Sequence, residues 1–193
     1  MIGRPGRNAL WLMIGAAAVL AFAAMGRADD RRHFKPAVPA LEVWKAKREM
    51  WLQQDGHTTR KFRIKLGGEP TAAKLHQGDG RTPVGHYYVS EKRPNSPFRH
   101  FLGISYPNVD DAERGFAAKL ITADQWADIL FANLRGEPPP WRTPLGGRVG
   151  IHGHGGRHAR DSDWTEGCIA VSDDDIDYLF PIVPLGTPVN IHD

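Results

Sequence analysis

The chain has a single cysteine, Cys168, among 193 residues. One thiol cannot close an intramolecular disulfide, so the residue is inert core, an intermolecular link or a reactive group. Net charge is also missing outside the N-terminus. The formal +3 equals the contribution of Arg4, Arg7 and Arg27, and the first 28 residues hold no Asp or Glu. The remainder is near neutral, and no aromatic-rich basic patch breaks this balance. The sequence pI of about 9.1 therefore gives no support for a nucleic-acid partner. There is no internal repeat and no second domain. Gly (21) and Pro (15) are abundant, favouring turns and short strands over long helices.

Arg4 and Arg7 precede an apolar run of 17 residues from Ala9 to Met25, followed by small residues up to Ala28. A charged start, an apolar centre and a small-residue end describe a secretory signal. The run also meets the lower length limit of a spanning helix. Residues 1–28 are therefore expected to be a signal peptide or an N-terminal membrane anchor, 29–40 a linker and 41–192 one domain. The expected location is the periplasm or cell envelope, with membrane contact only through residues 9–25 if they are uncleaved.

The domain reads as mainly β. Asp55-Gly56 lies between Leu41–Leu52 and Thr58–Leu66, a hairpin signal. Lys61 to Leu66 alternates polar and apolar residues as a half-buried strand does. Thr82-Pro83-Val84-Gly85 should lead into a strand over His86–Ser90, with another over Phe101–Tyr106. Thr122 can cap a helix from Ala123 to about Leu134, ended by Gly136, with Trp126, Ile129, Leu130, Phe131 and Leu134 as its apolar face. Arg148–Ile151 is expected to be a short strand delivering His152. Ser172, followed by Asp173, Asp174 and Asp175, marks a second helix start, and Pro188–His192 a closing strand. The expectation is a sandwich-like domain with one or two short helices.

Ile151–Val171 concentrates the chemistry. Gly167 next to Cys168 admits a substrate carbonyl and leaves the amides of Gly167 and Cys168 for an oxyanion. An imidazole can hold a thiolate, with a weak contribution from the Ser172 helix start. His152, on a strand end, is the favoured base, ahead of His154 and His158. No third side chain orients it, which leaves a backbone carbonyl near Gly153 for that task. Trp164 and Thr165 can line the groove, with His154 and Arg160 as further candidates. A zinc site from His152, His154, His158 and Asp161 is the competing reading, without a supporting helical motif.

At these residues the chain resembles the L,D-transpeptidase catalytic domain (YkuD-type). The resemblance rests on Ile151-His152-Gly153 followed by Thr165-Glu166-Gly167-Cys168, with 16 positions from His152 to Cys168. It extends to Gly78–Gly85 with Tyr87, to the Leu41–Leu66 hairpin and to the Ser172–Ile191 tail. It implies a Cys168 nucleophile with His152 as proton donor and acceptor, no metal and no organic cofactor. It also implies peptidoglycan stem peptides as partners, with an amine acceptor from a second stem or a protein. The same residues would serve a thiol-dependent peptidoglycan carboxypeptidase or endopeptidase, or persist in a non-catalytic wall-binding module. Many members carry Arg two residues after the cysteine; here that position is Ala170.

Overall fold

Asp55 and Gly56, with φ of 51° and 77°, turn the chain between β2 (Glu49–Gln54) and β3 (His57–Arg63). The hairpin is where the sequence puts it. The run before it is not one strand, however. β1 (Ala40–Trp44) precedes a turn at Lys45–Arg48, where Arg48 has φ 52°. The Lys45 ammonium, only 1% exposed, holds that turn by donating to the Ala72 carbonyl and pairing with Asp193 at 2.9 Å. A buried lysine explains why a polar stretch interrupts two core strands.

The computed structural model describes residues 39–155 and 162–193. The expected signal or anchor, most of the linker, and Arg157, His158, Arg160 and Asp161 lie outside the described residues. None of the helices described is long and apolar enough to cross a membrane.

Eight strands form one sheet in the order β3-β2-β1-β8-β4-β5-β6-β7. The later members are β4 (Gly85–Ser96), β5 (Arg99–Ile104), β6 (Gly150–His152), β7 (Ile169–Ala170) and β8 (Pro188–His192). The sheet is mostly antiparallel. The exceptions are β1 against β8 and β6 against β7. Beyond β3 the chain continues to Lys65, whose N–H and C=O both bond Ala170 of β7 at 2.8 Å. The two ends of the strand order thus meet, and the sheet curls round on itself in place of the expected pair of facing sheets. Right-handed strand twist makes such closure natural, and it leaves fewer open edges. Phe62, Ile64 and Leu66 point into the enclosed core, while Lys61 and Arg63 stay exposed.

Three helices are described, where one or two were expected. α1 (Val109–Ala117) starts with a reciprocal capping box between Asn108 and Asp111, in which Asp replaces the usual Glu or Gln. The sequence reading gave it no helix. α2 (Ala123–Arg135) has the anticipated Thr122 cap and a left-handed Gly136. Its inward face is Ile129 and Ala132, whereas Phe131 (53%) and Leu134 (72%) are exposed, contrary to the face read from the sequence. Only a narrow stripe is covered because α2 packs chiefly on α1, in a small cluster with Ala112, Ile121 and Leu145. α3 (Asp173–Ile182) is capped by Ser172. Lys92 bonds its last carbonyls, reaching Val183 at 2.8 Å, which satisfies groups that a helix end leaves open.

Candidate active site

His152 closes β6, with Ala170 of β7 as its parallel neighbour. Extending that register by one residue sets Cys168 beside Gly150. Side chains alternate along a strand, so Cys168 and His152 leave the same face of the sheet. They are one strand apart, roughly 4.8 Å, and two residues apart along it, roughly 6–7 Å. The register thus sets His152 at the end of β6 and Cys168 just before β7, on neighbouring segments.

The imidazole is fixed in place. His152 is 3% exposed, and its Nδ1 meets the Gly153 carbonyl at 2.7 Å. As a donor, Nδ1–H leaves Nε2 as the lone-pair nitrogen. Phe98, at the β4–β5 turn, stacks on the ring at 4.6 Å, and Trp164 stands edge-on at 5.8 Å. Burial pulls the imidazole below its ordinary pKa, with His154 adding to this and the Gly153 bond opposing it. The ring is neutral at neutral pH.

Cys168 is half-buried, at the foot of a groove of about 250 Å³ whose walls include Lys74, Gln77, Trp141, Arg148 and Glu166. The sulfur retains some solvent access yet is closely surrounded by protein. Burial pushes the thiol up to about 11, outweighing the Gly150 backbone and the Lys74 ammonium, which favour the thiolate; Glu166 opposes it. Sγ donates to the Arg148 carbonyl at 3.6 Å. The resting pair is thus a neutral thiol and a neutral imidazole, suited to proton transfer during attack. The start of α3 braces the adjoining turn. Its Asp173 carboxylate accepts from the amides of His154 (2.6 Å) and Gly155 (2.9 Å).

Thr165 is only 7% exposed and does not line the groove. Its Oγ1 donates to the Cys168 carbonyl at 2.7 Å and accepts from the Gly167 amide at 3.2 Å. Of the expected pair of amides, that of Gly167 is therefore engaged by Thr165. Gly167 has φ 127°, a left-handed value that disfavours side chains. A Cβ there would lie 2.5 Å from the Arg81 carbonyl oxygen. Gly153 donates its N–H to Phe98 O at 3.1 Å, so its part in the site is the carbonyl that orients His152. Trp164 packs around both His152 and His154, the latter at 6.0 Å, and its Nε1 finds no acceptor among the described residues. Asp163, Trp164 and Thr165 are all pinned to Leu66: the Leu66 amide meets Asp163 Oδ1 at 2.9 Å, and the Leu66 carbonyl accepts from the other two amides. Arg48 anchors Asp163 from the far side at 2.8 Å. Among the described residues no three His, Cys, Asp or Glu groups gather as metal ligands.

Sequence reasoning missed the ion pair beside the thiol. Lys74 and Asp79, each 4% exposed, meet at 2.8 Å. Burial would raise the Asp79 carboxyl, but Lys74 and the amides of Leu75, His76 and Arg81 outweigh it and hold the group at about 2. Asp79 in a Gly-Asp-Gly-Arg turn was the available signal, since such a carboxylate readily caps nearby N–H groups. Phe98 and Arg148 carried no comparable signal.

The curled β domain with a grooved thiol and a strand-end histidine is of one type with the L,D-transpeptidase catalytic domain, whose family model matches residues 39–191. The chain belongs to that family. Among solved structures it is similar to the helical cell shape determining protein Pgp2 of Campylobacter jejuni, at 20% identity and TM-score 0.56, over 82% of this chain and 49% of that one. Bd1075 of Bdellovibrio bacteriovorus matches at 20% identity and TM-score 0.54, again over 82% and 49%. These likenesses concern the fold, and the chain spans about half the length of either protein. No curated protein sequence matches the chain.

Proposed function

We propose that the protein is a peptidoglycan L,D-transpeptidase with Cys168 as nucleophile and His152 as general base and acid, exported by residues 1–28 and acting in the cell envelope. What supports this reading is the register of the parallel β6–β7 pair, which by extension sets Cys168 beside Gly150 and two residues from His152, together with His152 Nδ1 meeting Gly153 O at 2.7 Å. Family membership over residues 39–191 supports the substrate class.

On this reading, Nε2 of His152 takes the thiol proton as Sγ attacks the carbonyl of the L-centre of the diamino acid at stem position three. The resulting oxyanion is met by the Cys168 amide. The tetrahedral species collapses by breaking the amide bond, and the departing D-alanine nitrogen receives the proton from His152. A thioester remains on Cys168. An acceptor amine attacks it and loses its proton to His152; the C–S bond breaks, the Cys168 thiolate leaves and takes that proton back from His152, and the amide crosslink remains.

The test is mass spectrometry of the mature protein incubated with a defined tetrapeptide donor. A tripeptide-stem adduct on the wild type, absent from Cys168→Ala, and an amide-linked product with an added acceptor are the expected results. A free tripeptide carboxylate as sole product would identify a hydrolase instead. No adduct and no product from several donors would leave a wall-binding module.

A further inference from the structure

The Arg148 side chain takes no part in the proton transfers described above. Its φ of 53° is uncommon for a residue with a side chain. Its carbonyl faces Cys168 Sγ at 3.6 Å, and its guanidinium lies over the Trp141 indole, 3.7 Å from the ring centre. Arg142 lies near the same ring at 4.8 Å. Stacking on an aromatic face fixes the guanidinium plane while leaving its N–H edge open for a planar anion.

Two cations line the groove, Lys74 and Arg148. Lys74 is buried and paired with Asp79. Arg148 is exposed, and among the described residues it takes part in no ion pair. Glu166 shares the groove without pairing with it. An unneutralised, stacked guanidinium therefore lines the same groove as the thiol, and the carbonyl of its own residue accepts from Sγ.

We propose that Arg148 is a specificity-determining residue that binds the terminal α-carboxylate of the donor peptide, the end that leaves when Cys168 is acylated. This rests on the reading of Cys168 as the nucleophile. The carboxylate of a terminal residue lies about one residue length, ~3.8 Å, from the carbonyl under attack. A cation fixed on the Trp141 ring in the groove that holds the thiol is available to bind it. The bidentate geometry of guanidinium with carboxylate then selects donors that end in a free acid over amidated or extended ones.

Two reagents of similar size test this without any assumption about the substrate. Iodoacetate and iodoacetamide both alkylate a thiolate with loss of iodide, and only the first is an anion. The wild type is expected to favour iodoacetate over iodoacetamide relative to a free model thiol. Arg148→Met should lose that preference by about tenfold, read as the ratio of the two rates on one protein, with urea unfolding reporting an intact fold. Arg148→Lys should keep part of it. In a second arm, Cys168→Ala protein is titrated with a tetrapeptide carrying a free or an amidated C-terminus. Binding should favour the free acid by about tenfold, and the preference should vanish in Cys168→Ala/Arg148→Met. A reagent ratio unmoved by Arg148→Met, or equal or absent binding of the two peptides, overturns the assignment. Failure of the wild type to form a thioester sinks the proposed reaction, whereas the reagent ratio still judges Arg148.

Discussion

Thr165 holds the backbone of Cys168: its hydroxyl donates to the Cys168 carbonyl at 2.7 Å while accepting from the Gly167 amide at 3.2 Å. The three-residue loop before the thiol is closed by one buried side chain. Thr165→Val keeps the shape and strands both backbone groups. It should cost about 1–3 kcal/mol of stability and slow alkylation of Cys168 at fixed pH. Thr165→Ser should restore most of both. Urea unfolding and iodoacetamide kinetics on the two variants provide the check.

The protonation states of the site predict an unusual pH profile. With the thiol pushed up to about 11, alkylation of the resting protein should still be rising at pH 10. A midpoint near 7 would mean a preformed ion pair and contradict the neutral resting site. With the imidazole held below its ordinary value by burial, the acid limb of kcat/KM should fall below about 6.5. His152→Gln should reduce turnover by roughly 10²–10⁴-fold and leave peptide binding intact.

Gly153 sits against α3. A Cβ there would meet Asp173 Oδ1 at 2.4 Å and Ile176 Cγ2 at 2.9 Å. Gly153→Ala must push the β6 turn away from the helix, at about 1–3 kcal/mol, and displace the carbonyl that orients His152. Thermal unfolding should show the loss. Adding Asp173→Ala should recover only part of it, because Ile176 remains in the way.

Asp79 links the site to acid stability. Its carboxyl is at about 2 in the fold, against about 3.9 in an unfolded chain. A depressed carboxylate contributes stability that is fully present above the unfolded value and is lost as pH falls through the folded one. The contribution should fade between about pH 4 and pH 2. Asp79→Asn should be less stable than wild type at pH 7, and the gap should narrow on acidification across that window. Urea midpoints at pH 7, 4 and 3 would show an unchanged gap if Lys74 and Asp79 were not coupled to folding.

Much of this was legible in the residues. Asp55-Gly56, the Thr122 and Ser172 caps, and the Pro188–His192 strand are local signals, decided by backbone preference and one or two side chains. The candidates His152 and Cys168 stood out by their spacing and by a lone thiol among glycines. The turn at Lys45–Arg48 was hidden because its cause, the buried Lys45 with Asp193, spans 148 residues. α1 was hidden because its capping box uses Asp111, which is also tied to Tyr87 at 2.9 Å.

By itself, the sequence determined a mainly β domain and singled out the thiol and the histidine proposed to serve it, because these depend on residue type, alternation and short-range turn chemistry. Only the tertiary structure decided that the sheet closes on itself through Lys65 and Ala170, that Thr165 braces the thiol loop, and that Arg148 stands unpaired beside Cys168. Those relationships join segments far apart in the chain. They follow from burial and from which polar groups find partners once the core has formed, and no local pattern records them.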